Sequence, residues 1–146
     1  MTDDLSIREH VRRLLEWDDA HVNFDTAVGG IPVGARGMKP KNCPYTPWQL
    51  IEHLRITQHD ILDFCRNPNY KELKWPDDYW PSSTAPRSRS AWDKSVRQFR
   101  HDRKELQRLA MDTTVDLGAR IPHGSGQTYL RELVLAADHA AYHIGE

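Results

Sequence analysis

In TPWQLIEHLRITQHDILDFCR, residues 46–66, a helix declares both its start and its buried side. Thr46 reads as the N-cap, Pro47 as the first helical residue, where its missing N–H costs nothing, and Gln49 completes a capping box. Beyond it, Leu50, Ile51, Leu54, Ile61, Leu62, Phe64 and Cys65 recur along one face, and NPNY stops the run after Arg66. His53 borders that apolar stripe, whereas His59 falls on the opposite, polar side.

Three further segments repeat this period. Ile7, Val11, Leu14, Leu15, Trp17, Val22 and Phe24 predict one helix over Leu5–Val28, closed by VGGIPVGARG, with Asp18, His21 and Asp25 on the same face. Trp92, Val96, Phe99, Leu106 and Ala110 predict another over Ser88–Met111, with Arg103 in its seam. The last opens at the cap Thr128 and buries Leu130, Leu133, Val134, Ala137, Ala140, Ala141 and Ile144.

The connection from Asn67 to Pro86 contains KWPDDYWPSSTAP, whose prolines forbid regular helix and whose Trp75, Tyr79 and Trp80 are too apolar for a solvated linker. It is expected to pack across the helices as a lid. A polar turn, DTTVDLGARIPHGSGQ, precedes the last helix, and strand-like alternation is confined to a few loop residues. The chain therefore reads as all-α, a four-helix bundle with long crossover loops, in one domain over residues 1–146.

Lys+Arg of 20 against Asp+Glu of 21 leaves a net charge of −1, which gives no electrostatic reason to expect nucleic acid or an anionic membrane as partner. A small-molecule substrate is the expectation. Cys43 and Cys65 form no CxxC grouping, and MTDDLSIREH has no apolar leader, so a reducing, cytoplasmic setting without membrane insertion is expected.

The ending AADHAAYHIGE places His139 and His143 one turn apart, roughly 40° around the helix, so both imidazoles can project toward one point. Eight histidines make such a spacing unsurprising by chance. His53 adds a third donor on the margin of another inward face. Three neutral imidazoles hold a divalent transition metal and leave positions open for water or substrate. Spacing alone equally allows a hydrogen-bonded core histidine and a solvated pair.

WQLIEHLRITQHDILDF and LRELVLAADHAAYHIG, together with FDTAVGGIP, WPDDYWP and IPHGSGQT, make nearly the whole chain similar to the DinB/YfiT-like superfamily of metal-dependent four-helix proteins. In that family a helix-two histidine and an H-x3-H pair in helix four hold the metal. The matching positions are His53, His139 and His143. The family motif often closes H-x-G-Q, whereas this chain has His143-Ile144-Gly145-Glu146. The resemblance implies a divalent metal, zinc or nickel foremost, activating a low-molecular-weight thiol cosubstrate or water. It also implies a thiol-dependent transferase ahead of a hydrolase, and a homodimer. A metal-free small-ligand-binding module and a structural dimer are the rival readings.

Other residues carry weaker expectations. Glu132 and His139 lie nearly in line, but about 10 Å of helix rise separates them, so Glu132 is expected on a solvated face. Asp138 and Glu52 point away from their histidine neighbours. Asp18, His21 and Asp25 are expected either to line a substrate pocket or to answer Arg103 of the third helix, the ion pair being the preferred reading, and His123 is expected in a surface turn. Trp75, Tyr79, Trp80, Tyr45 and Trp48 offer either an aromatic ligand wall or ordinary loop packing. Cys65 and Cys43 read as structural thiols.

Overall fold

A computed structural model describes residues 2–146. Its elements are α1 (Thr2–Leu14), α2 (Phe24–Gly29), α3 (Pro47–Arg66), α4 (Arg89–Met111) and α5 (Tyr129–Gly145), with 3-10 turns at Val33–Ala35 and Asp77–Tyr79. The protein is all-α: among the described residues there is no strand, only an isolated bridge between Arg120 and Thr128. No described helix is long and apolar enough to cross a membrane. Helix α3 packs on α4 and α5, and α1 packs on the same two.

Local chemistry accounts for the three long-helix starts. Thr46 accepts from the Gln49 amide while the Gln49 side chain accepts from the Thr46 amide, with Pro47 at the first helical position. Ser88 caps α4 through the Ala91 amide, and Thr128 caps α5 through the Arg131 amide. At the other end of α4, the buried Arg8 guanidinium donates to the carbonyls of Ala110, Asp112 and Val115. The Ala110 carbonyl belongs to the last turn of α4, where helix-end oxygens lack an intrahelical partner, and Asp112 and Val115 lie in the turn that follows.

The single N-terminal helix expected over Leu5–Val28 is instead two helices. Helix α1 ends at Leu14, and the chain turns before Asn23 caps α2 by accepting from the Thr26 amide at 2.9 Å. The apolar period runs through this segment, but a short polar side chain that bonds its own backbone favours a new start over a continued helix. Ile7 and Val22, expected on the inward face, are consequently exposed, as is Val134 on α5.

The core has two parts. Leu106, Leu133, Ile121, Leu62 and Ala110 belong to one, and Phe24, Phe99, Trp48, Trp92, Leu54 and Ala140 to the other. Asp25 of α2 closes the second side by accepting from Arg103 at 3.0 Å and Arg100 at 2.5 Å, while Arg103 also reaches Glu16 at 2.9 Å. The expected acidic answer to Arg103 is therefore Asp25, joined by Glu16, which the sequence reading did not single out. Asp18 and His21 are exposed and take no part in it.

Leu106 is 0% exposed and Val134 42% exposed. Leu106→Ala is therefore expected to cost about 2–5 kcal/mol of unfolding free energy, through lost burial and a residual cavity. Val134→Ala should stay within about 0.5 kcal/mol. Urea denaturation followed by far-UV circular dichroism measures both, and equal effects would contradict this placement of the core.

Candidate metal centre

Helix α3 drives His53 fully into the protein, at 1% exposure, because it lies one turn from Leu50 and Thr57 on the side facing α5. Helix α5 brings His139 and His143 to the same point, one turn apart. One ring nitrogen from each of the three histidines lies within 4.8 Å of the others. The rings meet edge to face, with centroids 4.6–4.9 Å apart.

The hydrogen bonds assign which nitrogen faces inward. His53 Nδ1 lies 2.7 Å from the Tyr79 carbonyl, which can only accept, so that nitrogen carries the proton and Nε2 carries the lone pair. Thr57 spends its hydroxyl proton on the His53 carbonyl at 2.7 Å, so its oxygen accepts from His139 Nδ1–H at 3.3 Å. His143 Nδ1 donates to Glu146 Oε2 at 2.5 Å. All three rings are thus engaged at Nδ1, and His53 and His139 turn Nε2 toward each other, the outer-shell arrangement that orients histidine ligands.

Burial pushes the His139 imidazole down to about 4, with His143 and His53 adding to the effect. Burial also lowers His53. Both are therefore neutral at pH 7, and their Nε2 atoms lie 3.1 Å apart; with both ring protons at Nδ1, two lone pairs meet there. In that tautomer the contact is repulsive unless a cation shares it. Metal–nitrogen bonds of about 2.0–2.1 Å, at tetrahedral to octahedral angles, put neighbouring ligand nitrogens about 2.8–3.4 Å apart. The His53–His139 pair has that spacing, and the three imidazoles together have the donor chemistry of a divalent transition-metal site.

The 67–88 connection covers the centre. Trp80 stacks on His53 at 3.8 Å and 3°, and Tyr45 stacks on the outer face of Trp80 at 4.1 Å. The loop thus packs across the helices as a lid, with Trp80 and Tyr45 as its aromatic wall. Trp48 instead belongs to the core beside Trp92, and Trp75 is largely exposed. A cavity of about 110 Å³ reaches His143 and Glu146 between α2 and α3, walled by Val28, Cys43, Tyr45, Ile51 and Leu54.

The remaining sequence candidates fall elsewhere. Glu52 forms a two-pronged ion pair with Arg55, Asp138 is exposed, and His59 bonds the buried Asp102 at 3.0 Å. His123 is exposed and donates to the Phe64 carbonyl. Glu132, expected on a solvated face, is 3% exposed. It is bonded to Arg131 and forms part of a polar cavity with Asp60, Tyr70 and Tyr79, because the loops before α4 and α5 cover that side. Cys65 is buried, which pushes its thiol up to about 12 and leaves it unreactive.

Sequence reasoning missed Thr57, Tyr79 and Glu146 as orienting groups. Thr57 is four residues after His53 and Glu146 three after His143, so helical spacing could have suggested both. A backbone carbonyl such as that of Tyr79 leaves no residue-type signal.

The family model described as the DinB superfamily matches residues 16–146. No curated protein and no solved structure matches the chain.

Protons compete for these nitrogens in a definite window. With His139 held near 4 in the folded protein against an ordinary 6.5, the unfolded chain binds more protons between those values, so stability falls as pH drops through them. The lowered His53 acts in the same direction. Metal-free protein should lose urea resistance steadily from about pH 6.5 toward 4, and His139→Gln should flatten that loss. Parallel curves for the variant and the wild type would contradict the assignment.

Proposed function

We propose that this chain, which belongs to the DinB superfamily, is a metal-dependent enzyme centred on His53, His139 and His143 that activates a thiol cosubstrate or water toward a small-molecule substrate. The observation that carries the reading is the pair of Nε2 atoms 3.1 Å apart in rings engaged from behind at Nδ1. A divalent cation held there supplies the positive charge that acidifies a thiol or a water near neutral pH. Three nitrogen donors suit zinc, nickel, copper or iron, of which zinc and nickel are the foremost expectation.

This chain's own residues perform the remaining tasks. The Tyr79 carbonyl, Thr57 Oγ1 and Glu146 carboxyl hold the rings in register, so little reorganisation accompanies binding. Trp80 and Tyr45 exclude water from one side of His53. The largely apolar cavity beside His143 receives the apolar part of the substrate and leaves its reacting group at the centre. Thiol-dependent transfer takes precedence over hydrolysis through the family resemblance, which also supplies the expectation of a homodimer.

Metal analysis of protein purified without a histidine tag, followed by chelation and re-addition of zinc or nickel, tests the reading. Stoichiometric uptake is expected in the wild type. His139→Ala should weaken binding by more than the about 10–100-fold typical of an outer-shell partner, with helix content retained. A screen run with and without added low-molecular-weight thiols then separates transfer from hydrolysis. If the wild type takes up neither metal, the enzyme reading is abandoned, and ligand binding that survives His143→Ala would favour a binding module.

A further inference from the structure

We propose that Asp60 is a positioning residue of the three-histidine centre, acting through Tyr79; the inference rests on the metal-binding reading above. Asp60 lies on α3 seven residues after His53, about 10 Å along the axis and within about 20° of it around the helix. Its carboxylate accepts from the Tyr70 hydroxyl at Oδ1 and from the Tyr79 hydroxyl at Oδ2, each at 2.9 Å. The Tyr79 carbonyl is the acceptor for His53 Nδ1–H at 2.7 Å.

One residue of the lid is therefore clipped to α3 at two points, by its phenol at Asp60 and by its carbonyl at His53. The neighbouring Trp80 ring stacks on His53. Between Tyr70 and Ser83 no other hydrogen bond ties the lid to a helix among the described residues. The amides of Asp78 and Tyr79 bond Lys74 and Pro76 within the loop itself. The next anchors are Ser83, on the Trp48 indole N–H, and the Thr84 carbonyl, on the Thr46 hydroxyl. The position of the Tyr79 carbonyl, and with it the tautomer of His53, depends on the phenol–carboxylate contact.

The groups suit that task. Burial raises the Asp60 carboxyl, while Tyr79 and Tyr70 counter the rise by bonding its charged form. Burial and the Asp60 contact push the Tyr79 phenol up to about 12, so it remains a donor through the neutral range. A phenol donating to a carboxylate is a charge-assisted bond, stronger than a neutral pair. By reciprocity, any ligand that tightens His53 also tightens the lid.

Tyr79→Phe removes the O–H while keeping ring and backbone, and Tyr70→Phe removes the other donor to Asp60 without touching the link to His53. Zinc affinity is read by competition with a chromogenic chelator, and the His53 tautomer by long-range nitrogen–proton NMR on metal-free protein. Tyr79→Phe is expected to weaken zinc binding about 10–100-fold and to release His53 from its single Nδ1–H tautomer. Asp60→Ala should do the same, and Tyr70→Phe clearly less; if Asp60→Ala does not fold, Tyr79→Phe decides alone.

Wild-type zinc affinity together with a wild-type His53 tautomer in Tyr79→Phe would overturn the proposal while leaving the three-histidine reading intact. Equal losses in the Tyr70 and Tyr79 variants would overturn the route through Tyr79. Should the wild type itself bind no zinc, the metal reading fails separately, and the tautomer comparison still decides whether the clasp orients His53.

Discussion

The close approach of α3 and α5 is what the rest of the centre depends on. Ala136, three residues before His139 and on the same side of α5, is buried, and its small side chain lets the two helices come near enough for His53 and His139 to meet. The approach strips water from both imidazoles. It would leave polar nitrogens unsatisfied if Thr57 and the Tyr79 carbonyl did not stand behind them. With those acceptors in place, the unshared charge density is concentrated at one point between the helices.

The start of α3 and the lid are built from the same residues. Thr46 caps the helix through its side-chain oxygen and spends its hydroxyl proton on the Thr84 carbonyl. Trp48, two residues later, packs in the core and offers its indole N–H to Ser83. The loop that carries Trp80 over His53 is thus anchored to the N-terminal turn of the helix that presents His53. Cap, loop and histidine share one rigid body, which is how an irregular segment of this length can hold a ring at stacking distance.

Helix starts were legible because caps are local chemistry: Thr46, Ser88 and Thr128 each announce a helix without reference to anything distant. The break between Leu14 and Phe24 was not, because apolar periodicity runs across it and only Asn23 marks the new start. The meeting of His53 with His139 and His143 could be anticipated from two helix faces and the family likeness. Glu132 was misplaced for the opposite reason. Its exposure is decided by loops that pack over α5, and such packing has no sequence period.

The walls of the cavity also narrow the chemistry open to the proposed function. Glu52 is committed to Arg55, Glu132 lies in a separate cavity with Asp60 and Tyr79, and Asp138 faces solvent. Glu146 is the carboxyl among the cavity-lining side chains, and its Oε2 already holds His143 Nδ1–H. A proton leaving the reacting group would therefore meet a carboxyl already engaged in orienting a ring. Glutamate at this position, where the family motif often has glutamine, supplies a stronger acceptor to His143 than an amide would. Glu146 also places an ionisable oxygen beside the cavity, which under the proposed function couples any proton transfer there to the orientation of His143.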